Sequence, residues 1–266
     1  MKKILSIAVF VIMIVFKSYA QAISPDSLSY LIEKAKLGNP DVQYNLACYY
    51  NSIKDYDNGV FWIKQAAEAG NAKAQYNLGI SYTTGLGVPQ DFDKAILWYE
   101  KAAENGIIEA QYNLGACYYN WQGMPKDYKK AVIWFQKAAL QGNADAQFNL
   151  GVCYYNGQGV TKDLNKAISW YKKAAEQGNT GALVNLSNHY YRNNDYKSAF
   201  YWAKIAALQG NAEAQYNLGV CYNNGQGVPR DTTKAIYWFE KAAQQDKAEA
   251  QLNMGIAFFN GLTTEL

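Results

Sequence analysis

The sequence predicts an all-α chain, a right-handed α–α superhelix of about seven stacked helical hairpins. Three observations carry this reading. Trp62, Trp98, Trp134, Trp170, Trp202 and Trp238 are 36 residues apart, except for one interval of 32. Seven residues before each stands an Asp, from Asp55 to Asp231, and four residues after each begins an Ala-Ala pair, from Ala66-Ala67 to Ala242-Ala243. A second phrase, Ala-Gln-Tyr-Asn-Leu-Gly in its fullest form, places Leu46, Leu78, Leu114, Leu150, Leu186, Leu218 and Met254, each with an aromatic four residues on. A fixed period in the thirties marks units that bury their apolar faces only by stacking on neighbours.

The first element is an address. Lys2 and Lys3 precede an uncharged, almost wholly apolar run from Ile4 to Phe16, and Ser18-Tyr19-Ala20 supplies small residues at the −3 and −1 positions. This is the pattern of a secretory signal peptide cut near Ala20. The run is shorter than the roughly 20 residues that span a bilayer. An uncleaved anchor is the alternative, because Lys17 and Tyr19 fit a cleavage region poorly. The expectation is export to the periplasm or the medium, with no membrane insertion of the mature chain.

Residues 21–266 then form one solenoid domain. Ser24-Pro25-Asp26 opens a lone second-type helix ending near Leu37. Repeat copies follow at about 38–69, 70–105, 106–141, 142–177, 178–209 and 210–245, with a partial copy at 246–262. In the clearest copy the first helix runs from about Ala74 to Thr84. Ala74, Leu78 and Tyr82, four apart, make its apolar stripe. The second helix starts at Asp91, a residue suited to cap free N–H groups. It continues through Ala95, Trp98, Ala102 and Ala103 to Gly106, which stops it. The two 32-residue copies lack the glycine-rich loop Gly85 to Gln90 and keep both helices. Stacking is expected to bury Trp, Leu and Tyr between neighbours and to leave a concave face.

Leu78-Gly79-Ile80-Ser81-Tyr82, Gly85-Leu86-Gly87-Val88-Pro89-Gln90-Asp91, Lys94-Ala95-Ile96-Leu97-Trp98-Tyr99 and Lys101-Ala102-Ala103-Glu104-Asn105-Gly106 together resemble the Sel-one-like repeat, a relative of the tetratricopeptide repeat. The resemblance covers roughly residues 26–262. It implies a protein–protein adaptor, commonly exported. In one cysteine-rich branch it implies a penicillin-binding or β-lactamase activity, so the alternative function is an envelope enzyme or sensor acting on β-lactams or peptidoglycan.

The residues argue against that alternative. Half of the chain is apolar and 18% is charged, which excludes a disordered chain. Setting aside Lys2, Lys3 and Lys17, the 25 bases fall to 22 against 22 acids, so no charge excess points to nucleic acid or an anionic membrane. Cys117, Cys153 and Cys221 occupy one first-helix position and Cys48 the position before it. Equivalent positions in stacked repeats lie about 10 Å apart, too far for a disulfide. The cysteines read as small buried residues, and with one His no metal site is expected. Ser169-Trp170-Tyr171-Lys172 matches Ser-x-x-Lys by letter, but Ser169 fills the slot of Leu97, Ile133 and Tyr237, and the companion Ser-Asp-Asn and Lys-Thr-Gly elements are missing. His189 sits in the slot of Cys153 and Cys221 and reads as a satisfied, partly buried side chain. No catalytic set and no cofactor site can be assembled.

A partner face can. Positions two before, two after and five after the core Leu fall opposite it on a helix turning about 100° per residue. They carry Tyr76, Tyr112, Phe148 and Tyr216, and then Tyr119, Tyr155 and Tyr191. These aromatics either line a groove for a protein or peptide, Tyr being a good anchor, or pack between helices. Asn113, Asn149 and their equivalents precede each core Leu. They either bond the backbone of an extended peptide or tie repeats together, the second being favoured because Asn185 survives in the degenerate copy. Trp121, where other copies have glycine, is a further candidate contact. The function expected is an exported, non-catalytic adaptor.

Overall fold

Asp and Asn caps set where the helices begin. The computed structural model describes residues 25–120 and 126–259, which form fourteen helices and no strand. First-type helices are α2 (Pro40–Ser52), α4 (Ala72–Thr84), α6 (Ile108–Asn120), α8 (Ala144–Asn156), α10 (Thr180–Arg192), α12 (Ala212–Asn224) and α14 (Ala248–Phe259). Second-type helices are α1 (Pro25–Lys36), α3 (Tyr56–Glu68), α5 (Phe92–Glu104), α7 (Tyr128–Leu140), α9 (Leu164–Glu176), α11 (Tyr196–Leu208) and α13 (Thr232–Ala243). The carboxylates of Asp55, Asp91, Asp127, Asp163, Asp195 and Asp231 accept from the N–H three residues on. Each answers one of the unpaired donors at a helix start. Asn71, Asn143, Asn179 and Asn211 do the same for first-type helices, a cap hidden in the Gly-Asn phrase. In the two short copies Lys54 and Asn194 take the left-handed turn conformation, with φ of 64° and 61°.

The helices follow one another as the consecutive hairpins of an α-solenoid. They fall into two compact units, divided after Gln141. Signal-peptide residues 1–20, Trp121 and the end of the partial copy lie outside the described residues.

Within each hairpin the core row is buried as expected, from Leu46 to Leu218. The tryptophans are less so. Trp62 is buried, but Trp98, Trp134, Trp170, Trp202 and Trp238 are only half-buried. Lys101, Lys137 and Lys173 sit over three of them, 4.2, 3.9 and 4.3 Å from the ring centroids. The deeper residue is the one after Trp: Tyr99, Phe135, Tyr171 and Phe239 are buried. Each ring lies against the glycine that follows the core Leu. A Cβ on Gly79, Gly115, Gly151 or Gly219 would come within 2.6–2.7 Å of ring carbons. Where the glycine is replaced, so is the ring: Ala47 faces a copy with Ile63, and Ser187 a copy with Ala203. A ring and a side chain compete for one volume at interior packing density.

Buried glutamines bridge successive hairpins. The amides of Gln43, Gln75, Gln111 and Gln215 donate to Ala35, Ala67, Ala103 and Ala207 carbonyls of the preceding helix at 3.1–3.3 Å. The oxygens of Gln75, Gln111 and Gln215 accept in turn from a residue just past the following second-type helix, Asn105, Gln141 and Gln245 respectively, at 2.7–2.9 Å.

Candidate functional site

The aromatic row at the position two before the core Leu belongs mainly to the packing. Tyr76, Tyr112, Phe148 and Tyr216 stand 5.8–6.1 Å, centroid to centroid, from Tyr99, Phe135, Tyr171 and Phe239. Tyr112 is only 8% exposed, so of the two readings of this row it takes the packing one. Tyr76, Phe148 and Tyr216 are half-buried. The reason is that a first-type helix is covered on two sides, so the face opposite the core Leu still meets its own partner helix.

The position five after the core Leu divides. Tyr119 is half-buried between Tyr128 at 5.3 Å and Phe135 at 6.0 Å. Tyr155 and Tyr191 are 36% and 38% exposed. The Tyr191 hydroxyl donates to Gln226 at 3.1 Å.

The asparagine ladder ties repeats together where its partners are described. Asn77 and Asn113 donate to the hydroxyls of Tyr44 and Tyr76, one repeat earlier, both at 3.4 Å. Asn217 donates to Asn188 at 3.0 Å. Asn149 is half-buried on α8.

In the second unit, α8, α9 and α10 enclose an open cavity of about 440 Å³. Tyr155 of α8 lines it, together with the apolar Leu164 and Ile168 and the Tyr171 ring of α9. Asn185, Asn188, His189 and Arg192 reach in from α10, with Asn193 from the turn after it. Arg192 donates to the Tyr155 hydroxyl over a long 3.5 Å. Asn193 donates to the His189 carbonyl at 2.8 Å and lies 3.4 Å from its Nδ1. The His189 ring meets Tyr190 edge-on at 5.2 Å. Burial first, then the charge of Lys172, hold the imidazole below its usual pKa, so it is neutral at pH 7. No carboxylate lines the cavity.

Three of these residues break the repeat. Asn188 stands where other copies have Ile80, Ala116, Val152 and Val220. His189 replaces Ser81, Cys117, Cys153 and Cys221, and Arg192 replaces Thr84, Asn120, Asn156 and Asn224. The sequence reading singled out His189 alone. The signal that finds the other two is departure from the chain's own register.

The cysteines are free thiols, and all four are buried. Burial pushes Cys48 and Cys221 up to about 11 and Cys153 to about 12, so none is a thiolate at neutral pH. Ser169 is exposed on α9. Among the described residues no three His, Cys, Asp or Glu gather as metal ligands, and no helix is long and apolar enough to cross a membrane.

The Sel1 repeat family model matches residues 40–71, 72–107, 108–143, 144–179, 185–211, 212–247 and 248–265. The chain is similar to a protective antigen present in uropathogenic Escherichia coli strains, whose crystal structure displays an SLR fold. Identity is 36% and the TM-score 0.85, over 89% of this chain and 52% of that one. This chain therefore spans about half the length of that antigen. It is also similar to a Sel1 repeat protein from Oxalobacter formigenes, at 32% identity and a TM-score of 0.70, over 76% of this chain and 84% of that one. Among curated proteins none matches.

Proposed function

The chain belongs to the Sel1-like repeat family, related to TPR-like helical repeat proteins, and from that premise we propose that it is an exported adaptor that holds a protein or peptide partner without doing chemistry. Repeat proteins of this family generally mediate protein interactions. The observation that carries the reading here is the surface of the second unit. The exposed ring of Tyr155 lines a cavity rich in side-chain amides, and the Tyr191 ring is exposed on α10. Rings supply contact area with little loss of entropy, and amides pair with peptide backbone. Export rests on the leader-like residues 1–20.

Photo-crosslinking from a benzoylphenylalanine in place of Tyr155, in cells, tests this. One dominant protein adduct is expected, absent when the probe replaces the exposed Leu208 on α11. Equal adducts at both positions, or none with the chain folded and exported, would remove the adaptor reading of this surface.

A further inference from the structure

Among the described residues the two end helices differ in how their outer side is dressed. In a complete hairpin Ala95, Tyr99 and Ala102 share one buried face of the second-type helix, with the Tyr99 ring against Gly79. On α1 that face is polar: exposed Ser27 stands in the slot of Ala95, and exposed Lys34 in the slot of Ala102. A polar outer face is what ends a repeat array in water. Helix α14 has the reverse. Ala250, Met254 and Ala257 are its buried side, and opposite them Leu252, Ile256 and Phe259 are 66%, 50% and 89% exposed. Between them lies Gly255, with nothing within 4 Å of its Cβ position. We propose that this face binds a second copy of the chain, the two α14 helices packing antiparallel about a two-fold axis. The inference is independent of the adaptor reading and goes beyond it.

Shape and charge select a second copy. On a helix, Leu252, Gly255, Ile256 and Phe259 fall within about 100° of one another. An antiparallel pairing centred between Gly255 and Ile256 sets Leu252 opposite the second copy's Phe259, and Gly255 opposite the second copy's Ile256. A glycine at the crossing point lets two identical helices approach closely, with large residues on either side to cover each other. No residue from 250 to 259 is charged, and Glu249 at the far end is tied to Lys247 at 3.2 Å. Two copies therefore meet without like-charge repulsion. The contact also continues an interface that the chain already uses, in which a first-type helix sets its glycine against apolar side chains of the helix that covers it. Helix α1 of a second copy does not fit. Its Lys34 would be buried in a slot where Ala102, Ala138 and Ala174 are 0% exposed.

The contact is small. Three side chains cover less than the roughly 800 Å² per partner of stable complexes, which places Kd on the order of 100 µM. A two-fold contact uses the same patch on both copies, so assembly stops at the dimer. Below about 10 µM, where unfolding and exchange are followed, the chain is then a monomer with α14 open.

Sedimentation equilibrium of the purified chain from about 5 to about 500 µM tests this. The mean mass is expected to rise from monomer towards dimer and no further. Phe259→Ser and Ile256→Asp should each weaken association about tenfold or more. Leu37→Ser, which removes an equally exposed apolar side chain just past α1, should leave it unchanged. Circular dichroism melts in dilute solution should match the wild type for all three, which separates lost association from lost fold. A wild-type chain that stays monomeric throughout the range would overturn the proposal. So would folded Phe259→Ser and Ile256→Asp chains that associate as the wild type does, or species that grow beyond the dimer.

Discussion

Gln43 differs from its equivalents in one atom's fate. Its amide donates to Ala35, but its Oε1 is buried with no partner among the described residues. The residue that would supply one is Ala69, standing where other copies have Asn105, Gln141 and Gln245. An unpaired buried acceptor costs about 1–3 kcal/mol. Ala69→Gln should therefore raise the melting temperature, by about 1 kcal/mol of stability once the new side chain's ordering is counted. Thermal unfolding followed by circular dichroism checks it, and no gain would mean that the new amide does not reach Gln43.

Titration acts at the same scale. His189 has a folded pKa below 6.5, so the unfolded chain takes the proton first as pH falls. Stability is unaffected above 6.5 and declines as pH drops through the interval to the folded value. The cap carboxylates Asp91, Asp163, Asp195 and Asp231 are held below 3.8, Asp91, Asp195 and Asp231 first by side-chain hydrogen bonds and Asp163 by the Lys166 N–H. Their contribution is present above 3.8 and lost as pH falls through their folded values. Melting temperature against pH should show both declines, and His189→Gln should remove the one at higher pH alone.

Within elements, the glycine after the core Leu or Met has two fates in similar sequence surroundings. A Cβ on Gly151 would stand 2.6 Å from carbons of the buried Tyr171 ring. Gly151→Ala should cost about 1–3 kcal/mol by overpacking. Tyr171→Ala added to it should cost less than the sum of the two, as Ser187 with Ala203 already implies. Gly255 on α14 has nothing within 4 Å of its Cβ position. Gly255→Ala should be neutral or stabilising by up to about 1 kcal/mol, since alanine is the better helix former. Denaturant unfolding of the pair separates the two outcomes, and equal destabilisation would show that helix α14 has a second cover.

Across the molecule, stability in a repeat array is a sum of unit and neighbour terms. Helix α14 packs on α13 while Leu252, Ile256 and Phe259 stay exposed. Its amides should exchange with solvent before those of α4 or α12, each flanked by helices before and after it. Hydrogen exchange read by mass spectrometry tests the order. Protection of α14 equal to α12 would show that its exposed side chains are covered in solution.

The sequence by itself determined the helices, their Asp caps, their stops and the repeat, because caps and 3.6-residue periodicity act within one turn or one helix. It also determined which Leu row is core. Only the tertiary structure decided that Tyr112 is buried while Tyr155 stays open, that the residue after Trp outranks Trp in the core, and that Gly151 faces a ring where Gly255 faces nothing. It alone joined Asn188, His189 and Arg192 to Tyr155 and Ile168 around one cavity. Those outcomes depend on what a neighbouring helix about 20 to 40 residues away places against a position, and helical register carries no information about that neighbour.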